Sequence, residues 1–212
     1  ILVYEEFLRV KESLGKRPSR VELFKYIDES ICKGMKRFSN PLINVFKDYL
    51  SFLKENNELE TGEAALCNTT AHEFIRFVEN TKMTKIYKMP LLLAFYNNGN
   101  MRLRLTQDDI YITFKEFFSN PSNAIDLEIH KTRSNFKSWG KEGYVKLSRM
   151  NPEKFLIQTN LEFFYRDGDY FCLNKRLAPF IADKYFLIHF KDAIDYRIKS
   201  YYKERYEKWT QH

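Results

Sequence analysis

Asp126, Glu128 and Lys131 are the nearest this sequence comes to a catalytic trio. Two or three carboxylates converging on Mg²⁺, with a lysine nearby, equip a metal-dependent nuclease. In Asp126-Leu127-Glu128-Ile129-His130-Lys131, strand alternation puts the two acids on one face and the lysine on the other. The trio then fails to converge, no second acidic cluster supports it, and a plain surface strand is the expected reading. A nucleotide-driven motor needs Gly-x-x-x-x-Gly-Lys-Ser/Thr. Gly15-Lys16-Arg17 lacks the upstream glycine and the hydroxyl. Zinc needs clustered Cys and His, but His72, His130, His189 and His212 are far apart, as are Cys32, Cys67 and Cys172. Each reads as a core or surface residue. Spacing does not bar a Cys–His nucleophilic pair, but no glycine-rich nucleophile turn accompanies one. The expectation is a chain with no catalytic residue, no metal and no cofactor of its own.

Two stretches interleave cations with aromatic rings. The first carries Lys131, Arg133, Lys137, Lys141, Lys146 and Arg149 among Phe136, Trp139 and Tyr144. The second carries Arg197, Lys199, Lys203, Arg205 and Lys208 among Tyr196, Tyr201, Tyr202, Tyr206 and Trp209. Lys and Arg neutralise phosphates and release counterions, and exposed rings stack unpaired bases at about 1–3 kcal/mol each. This pairing suits single strands or strand junctions better than sequence reading. In the second stretch an alternative weighs equally: the tyrosines pack on the neighbouring hairpin while the cations reach outward. The expected nucleic-acid contacts are Lys131, Arg133, Lys137, Trp139, Lys141, Lys146, Arg149, Arg197, Lys199, Lys203 and Arg205. Lys137, Lys141, Lys146, Arg197, Lys203 and Arg205 are expected to gather on one face.

Charge distribution points the same way. The 212 residues carry a net +7. Residues 1–60 hold 11 basic and 10 acidic side chains, residues 61–130 hold 7 and 8, and residues 131–212 hold 17 and 10. A localised excess is the footprint of a phosphate-binding surface, or else of a solvated face. With 17% aromatic residues, 7 Gly and 6 Pro, the chain builds a core and lacks long flexible linkers. Its longest apolar run, Met89–Tyr96, is far short of the roughly 20 residues that span a bilayer. The scattered cysteines read as small hydrophobes in a reducing compartment, so a cytoplasmic protein is expected and the Asn68-Thr69-Thr70 sequon carries no weight. The N-terminus reads as an amphipathic helix rather than a secretory signal. Because Ile1-Leu2-Val3-Tyr4 already belongs to that helical pattern, the chain reads as a piece of something longer.

Three units are expected to position these residues. In residues 1–60, Val3, Phe7, Leu8 and Val10 mark a helix that stops at Leu14-Gly15. Ser19 and Glu22 form a capping box for the next helix, and a third begins with Pro41 at its first position. Helix, short basic turn, helix fits a helix-turn-helix element or any small bundle. Residues 61–120 form a winged-helix-like unit: a helix after Thr70, an apolar helix over 85–96, a short strand at 101–105, then a helix capped by Thr106 with Asp108 and Asp109 in its first turn. Residues 121–212 form a basic unit. It holds a helix over 144–157 broken at Asn151-Pro152, a hairpin turning at Asp167-Gly168 between aromatic strands, a helix over 177–190 and a long polar helix over 191–209. The expected class is mainly α (α+β), a helical bundle with winged-helix-like units and short β-hairpins.

Lys85-Ile86-Tyr87-Lys88-Met89-Pro90-Leu91-Leu92-Leu93-Ala94-Phe95-Tyr96 resembles an element of the C-terminal parts of large bacterial superfamily II helicases, the DEAD/DEAH and type III restriction-subunit-like group. Gly15–Arg20, Phe136–Gly140 and Phe190–Arg197 are similar to the same region. The resemblance covers most of the chain but none of the motor motifs, so no catalytic residue carries over. It implies an accessory region of an ATP-dependent DNA helicase or translocase whose motor domains precede residue 1, with restriction or phage defence as natural settings. The expected function is therefore non-catalytic nucleic-acid binding, DNA more than RNA, with the motor domains of the same parent chain as partners and no membrane. The alternatives are a protein-interaction scaffold and, third, a Mg²⁺-dependent nuclease.

Overall fold

A computed structural model describes residues 3–210; Ile1, Leu2, Gln211 and His212 lie outside the described residues. The chain divides into two compact units, residues 1–81 with 184–212, and residues 82–183.

In the first unit, α1 (Val3–Leu14) buries Val3, Phe7 and Val10 on one face, and Gly15, at φ +69°, turns the chain out of it. Ser19 caps α2 (Arg20–Tyr26), with Glu22 completing the expected capping box. A helix that the sequence did not announce follows, α3 (Glu29–Met35), opened by the Asp28 carboxylate on Ser30 and Ile31 N–H. The expected helix from Pro41 is corrected. Residues 41–43 form a turn and Val45–Lys47 a 3₁₀ segment. Helix α4 (Tyr49–Glu55) starts only where Asp48 caps it by accepting from Ser51 N–H. Helix α5 (Thr70–Asn80) is capped by Thr69.

In the second unit, α6 (Lys88–Ala94) is wholly apolar on its inner side. Strand β1 (Arg104–Leu105) leads into α7 (Gln107–Ser119), whose cap Thr106 forms a capping box with Asp109. The expected strand over 126–131 is overturned: Ile125–Glu128 is a short helix, α8, closed by backbone bonds from Glu128 and Ile129. Helix α9 (Lys141–Ser148) passes through a π-turn at Arg149–Glu153 into α10 (Lys154–Thr159). Pro152, which has no N–H to donate, lies in that π-turn, so the expected break becomes a bulge in an otherwise continuous rod. Strands β2 (Phe164–Asp167) and β3 (Tyr170–Leu173) form the expected hairpin. Asp167 pairs with Tyr170, so Gly168 and Asp169 make the turn, one residue later than expected, with Gly168 at φ +58°. The antiparallel sheet runs β1-β3-β2. Phe164 and Phe171 stack at 5.5 Å within it.

The chain then returns to the first unit as α11 (Lys184–Thr210), one uninterrupted helix of 27 residues. The two helices expected over 177–190 and 191–209 are thus corrected: Lys175–Phe180 is a 3₁₀ segment, and nothing breaks the rod at Phe190-Lys191. Tyr196 stacks on Phe46 at 4.3 Å and meets Phe24 edge-on. This explains why boundaries at 60 and 120 are not where the chain divides. Helix α11 packs on α2 and α5, so the C-terminal helix and residues 61–81 belong with the N-terminal helices. The class is mainly α (α+β), with eleven α-helices and one three-stranded sheet among the described residues.

Candidate nucleic-acid interface

Residues 131–150 of the second unit hold the first basic-aromatic stretch. Phe136 is buried in the 3₁₀ segment Phe136–Ser138 and anchors it, leaving Lys137 outside. The Trp139 indole N–H donates to Asn135 Oδ1 at 3.2 Å, and Tyr144 meets its ring edge-on at 5.4 Å. Helix α9 passes so close that a Cβ on Gly143 would stand 2.6 Å from Trp139 Cγ. Real Cβ contacts essentially never come below 3.0 Å, so a glycine inside this helix is what the indole position requires. The Arg133 guanidinium lies over the Tyr87 ring, 5.3 Å from its centroid, and donates to Tyr87 Oη at 3.3 Å.

A cleft of about 280 Å³ opens here, and Arg133, Asn135, Trp139, Gly143, Lys146 and Met150 help to line it. Thr132 and Leu147 complete its wall, and no acidic side chain contributes. Three expected contacts, Arg133, Trp139 and Lys146, therefore converge. Lys131, Lys137 and Lys146 are exposed and have no carboxylate within ion-pair distance among the described residues. Lys141 pairs with Asp108 at 2.7 Å and Arg149 with Asp169 at 3.0 Å; exposed pairs of this kind hold little. Desolvation, with Arg133 and Lys85 nearby, holds the His130 imidazole below its usual value, as a locally positive field does.

The second stretch is positioned differently. Arg197 donates to the carbonyls of Val78 at 2.8 Å and Thr81 at 2.6 Å, closing the C-terminal end of α5. Its guanidinium is committed to the fold, so Arg197 is corrected from a phosphate contact to a helix cap. Tyr196 and Tyr202 are buried, and Tyr196 packs on Phe24 and Phe46 rather than on the hairpin. Lys199 and Lys203 are exposed, Lys203 lies over the Phe24 ring at 5.4 Å, and Arg205 is half-buried. Lys137, Lys141 and Lys146 belong to the second unit and Arg197, Lys203 and Arg205 to the first, and Arg197 is withdrawn from the expected set of contacts.

The hairpin tip is anionic. Asp167 faces Arg104 at 3.4 Å, Asp169 takes Arg149, and Arg166 turns away to Glu153. Asp126 is fully buried and accepts from Ile86 N–H at 3.0 Å, so it serves the fold. Among the described residues no three His, Cys, Asp or Glu are grouped to hold a metal ion, and no helix is long and apolar enough to cross a membrane.

Sequence reasoning missed a buried polar chain in the first unit. Arg20, wholly inaccessible, donates to Glu79 at 2.8 Å and Asp192 at 3.1 Å, and it meets His189 Nδ1 at 3.0 Å. A guanidinium only donates, so Nδ1 accepts and Nε2 carries the proton that goes to Glu63. Arg17 reaches the same carboxylate at 2.6 Å. Burial raises the Glu63 carboxyl, but bonds from His189 and Arg17 outweigh it and bring the group down to about 2. Both imidazole nitrogens of His189 are occupied, so it has no nitrogen left for a substrate proton.

No protein-family model matches the chain, and no curated protein or solved structure matches it either.

Proposed function

We propose that the second unit holds nucleic acid through its 131–149 segment, as a non-catalytic accessory element of a larger ATP-dependent DNA helicase or translocase. The observation that carries this reading is the convergence of Arg133, Trp139 and Lys146 on one cleft with no acid in its wall. Residues 82–183 hold 16 basic and 11 acidic side chains, a net +5, and a localised excess raises the local concentration of a polyanion. The order of elements supports it as well. In the second unit α6, β1, α7, α8, the α9–α10 rod and the β2–β3 hairpin follow one another, with a sheet in the order β1-β3-β2; on the winged-helix-like reading proposed here, the rod before the hairpin lies against the nucleic acid. That rod carries Lys141 and Lys146 on α9 and Arg149 in the π-turn that joins α9 to α10. The acidic hairpin tip argues against the wing as the main contact or as a strand-separating pin. The motor and its nucleotide belong to the parent chain, and the cytoplasm is the compartment this reading implies.

The combined substitution Lys131→Glu, Lys137→Glu and Lys146→Glu tests it. These side chains are exposed, so the fold should survive while affinity for DNA collapses. Unchanged affinity would sink the reading. The second reading is a protein-interaction scaffold, favoured by exposed Met150, Phe155 and Leu161, at 57%, 44% and 70% accessibility. It predicts a partner whose binding ignores the three lysines.

A further inference from the structure

Resting on that reading, we infer that the Trp139 cleft receives one unpaired base of a single strand, with the adjoining phosphate on Arg133 and Lys146. Size comes first. Small-molecule sites run about 300–1,000 Å³, and this cleft, at about 280 Å³, lies just under that range, with room for one base and none for a duplex. Chemistry comes second. A base needs an aromatic face or an apolar wall, and its phosphate needs cations; Trp139, Leu147 and Met150 supply the first, Arg133 and Lys146 the second. No carboxylate repels the phosphate there.

Preorganisation comes third. The indole is fixed before any ligand arrives, by the bond to Asn135, by the Tyr144 edge and by its close seat on Gly143. A ring already held loses little freedom on binding. Arg133 is likewise held on the Tyr87 ring. An indole N–H only donates, so Asn135 must turn its oxygen toward Trp139. Its amide N–H groups then have no partner among the described residues and are available to a carbonyl on a base edge.

The test uses the full chain carrying Trp209→Phe, which leaves Trp139 as the sole tryptophan of the two in the sequence. Three probes are compared: a ten-residue oligothymidylate, an abasic strand of equal length and charge, and a blunt duplex. The oligothymidylate should quench Trp139 emission and bind about 5- to 150-fold tighter than the abasic strand, the range expected for one stacked base. Trp139→Ala should erase that difference while keeping the affinity for the abasic strand, with an unchanged far-ultraviolet circular dichroism spectrum and urea midpoint reporting that the variant is folded. Trp139→Phe should restore part of the difference. Equal, salt-sensitive binding of both strands without quenching would leave the nucleic-acid reading standing and overturn the cleft inference. Binding of neither strand and no duplex would overturn both.

Discussion

A Cβ placed on Gly143 would stand 2.6 Å from Cγ and 2.8 Å from Cδ2 of Trp139, so the smallest residue in α9 sets where the largest ring of the segment lies. Gly143→Ala adds helix propensity worth about 1 kcal/mol but overpacks a fixed ring at about 1–3 kcal/mol. The net expected outcome is a loss of about 1 kcal/mol in urea denaturation, with a shift in Trp139 emission. Gly34 in α3 has nothing within 4 Å of its would-be Cβ. There Gly34→Ala should raise stability by about 0.5–1 kcal/mol. If both substitutions stabilise equally, the close approach at Gly143 is not a constraint.

Arg197 separates fold from binding. Arg197→Ala leaves the Val78 and Thr81 carbonyls without their guanidinium donors. Unmaking buried hydrogen bonds of this kind costs about 1–3 kcal/mol, readable as a lower denaturation midpoint. The affinity of the folded variant for DNA should match that of the parent. A large affinity loss at unchanged stability would return Arg197 to the binding surface.

Arg20 and Glu79 are both inaccessible to solvent. Arg20→Ala leaves the Glu79 charge buried and uncompensated, which costs about 3–5 kcal/mol. Replacing both, Arg20→Met with Glu79→Leu, should cost less than the single change, because the stranded charge goes too. Arg20 Nη2 and Glu79 Oε1 already lack hydrogen-bond partners among the described residues. Equal losses in the single and double variants would argue that the ion pair is not what the site responds to.

Acid should unfold the first unit in two stages. Burial holds His189 below its ordinary value of 6.5. As pH falls below 6.5 the unfolded chain gains this proton while the folded imidazole stays neutral, so stability drops. The Glu63 carboxyl sits at about 2 against an ordinary 4.5. Its contribution is complete above 4.5 and is lost as pH falls from there toward 2. Urea midpoints measured from pH 7 to pH 3 should therefore decline throughout, and Glu63→Gln should flatten the part below 4.5. A midpoint that rises on acidification would contradict the assigned protonation of the pair.

Local chemistry was legible in the sequence and distant chemistry was not. The capping box at Ser19–Glu22 and the Thr106 cap with its acidic first turn are local and read directly from the chain, and the structure adds Asp109 as the second half of a box at Thr106. The hairpin followed from a glycine beside aspartates, one residue out of register. Helix α3 escaped because Glu-Ser-Ile-Cys-Lys-Gly-Met shows no apolar run; the Asp28 cap and burial of Cys32 and Met35 make it. Arg20 and Asp192 lie 172 residues apart, and no spacing rule joins such a pair. Within the candidate site, the cations followed from composition and Trp139 from its aromatic company. Gly143 had no visible role until α9 was seen to press on the indole. Arg197 looked like its exposed neighbours because nothing in the helical repeat of α11 shows that α5 ends against it.

The central claim is that free cations of the second unit meet phosphates, and its most direct test is the affinity of the full chain for a labelled single strand across a salt series. Lys131, Arg133, Lys137 and Lys146 are without ion-pair partners among the described residues. About four phosphate contacts on a single strand give a log–log slope near −3, and Lys137→Glu should make it shallower by roughly one contact's share, about 0.7. Affinity that is absent, or flat with salt, would contradict the account.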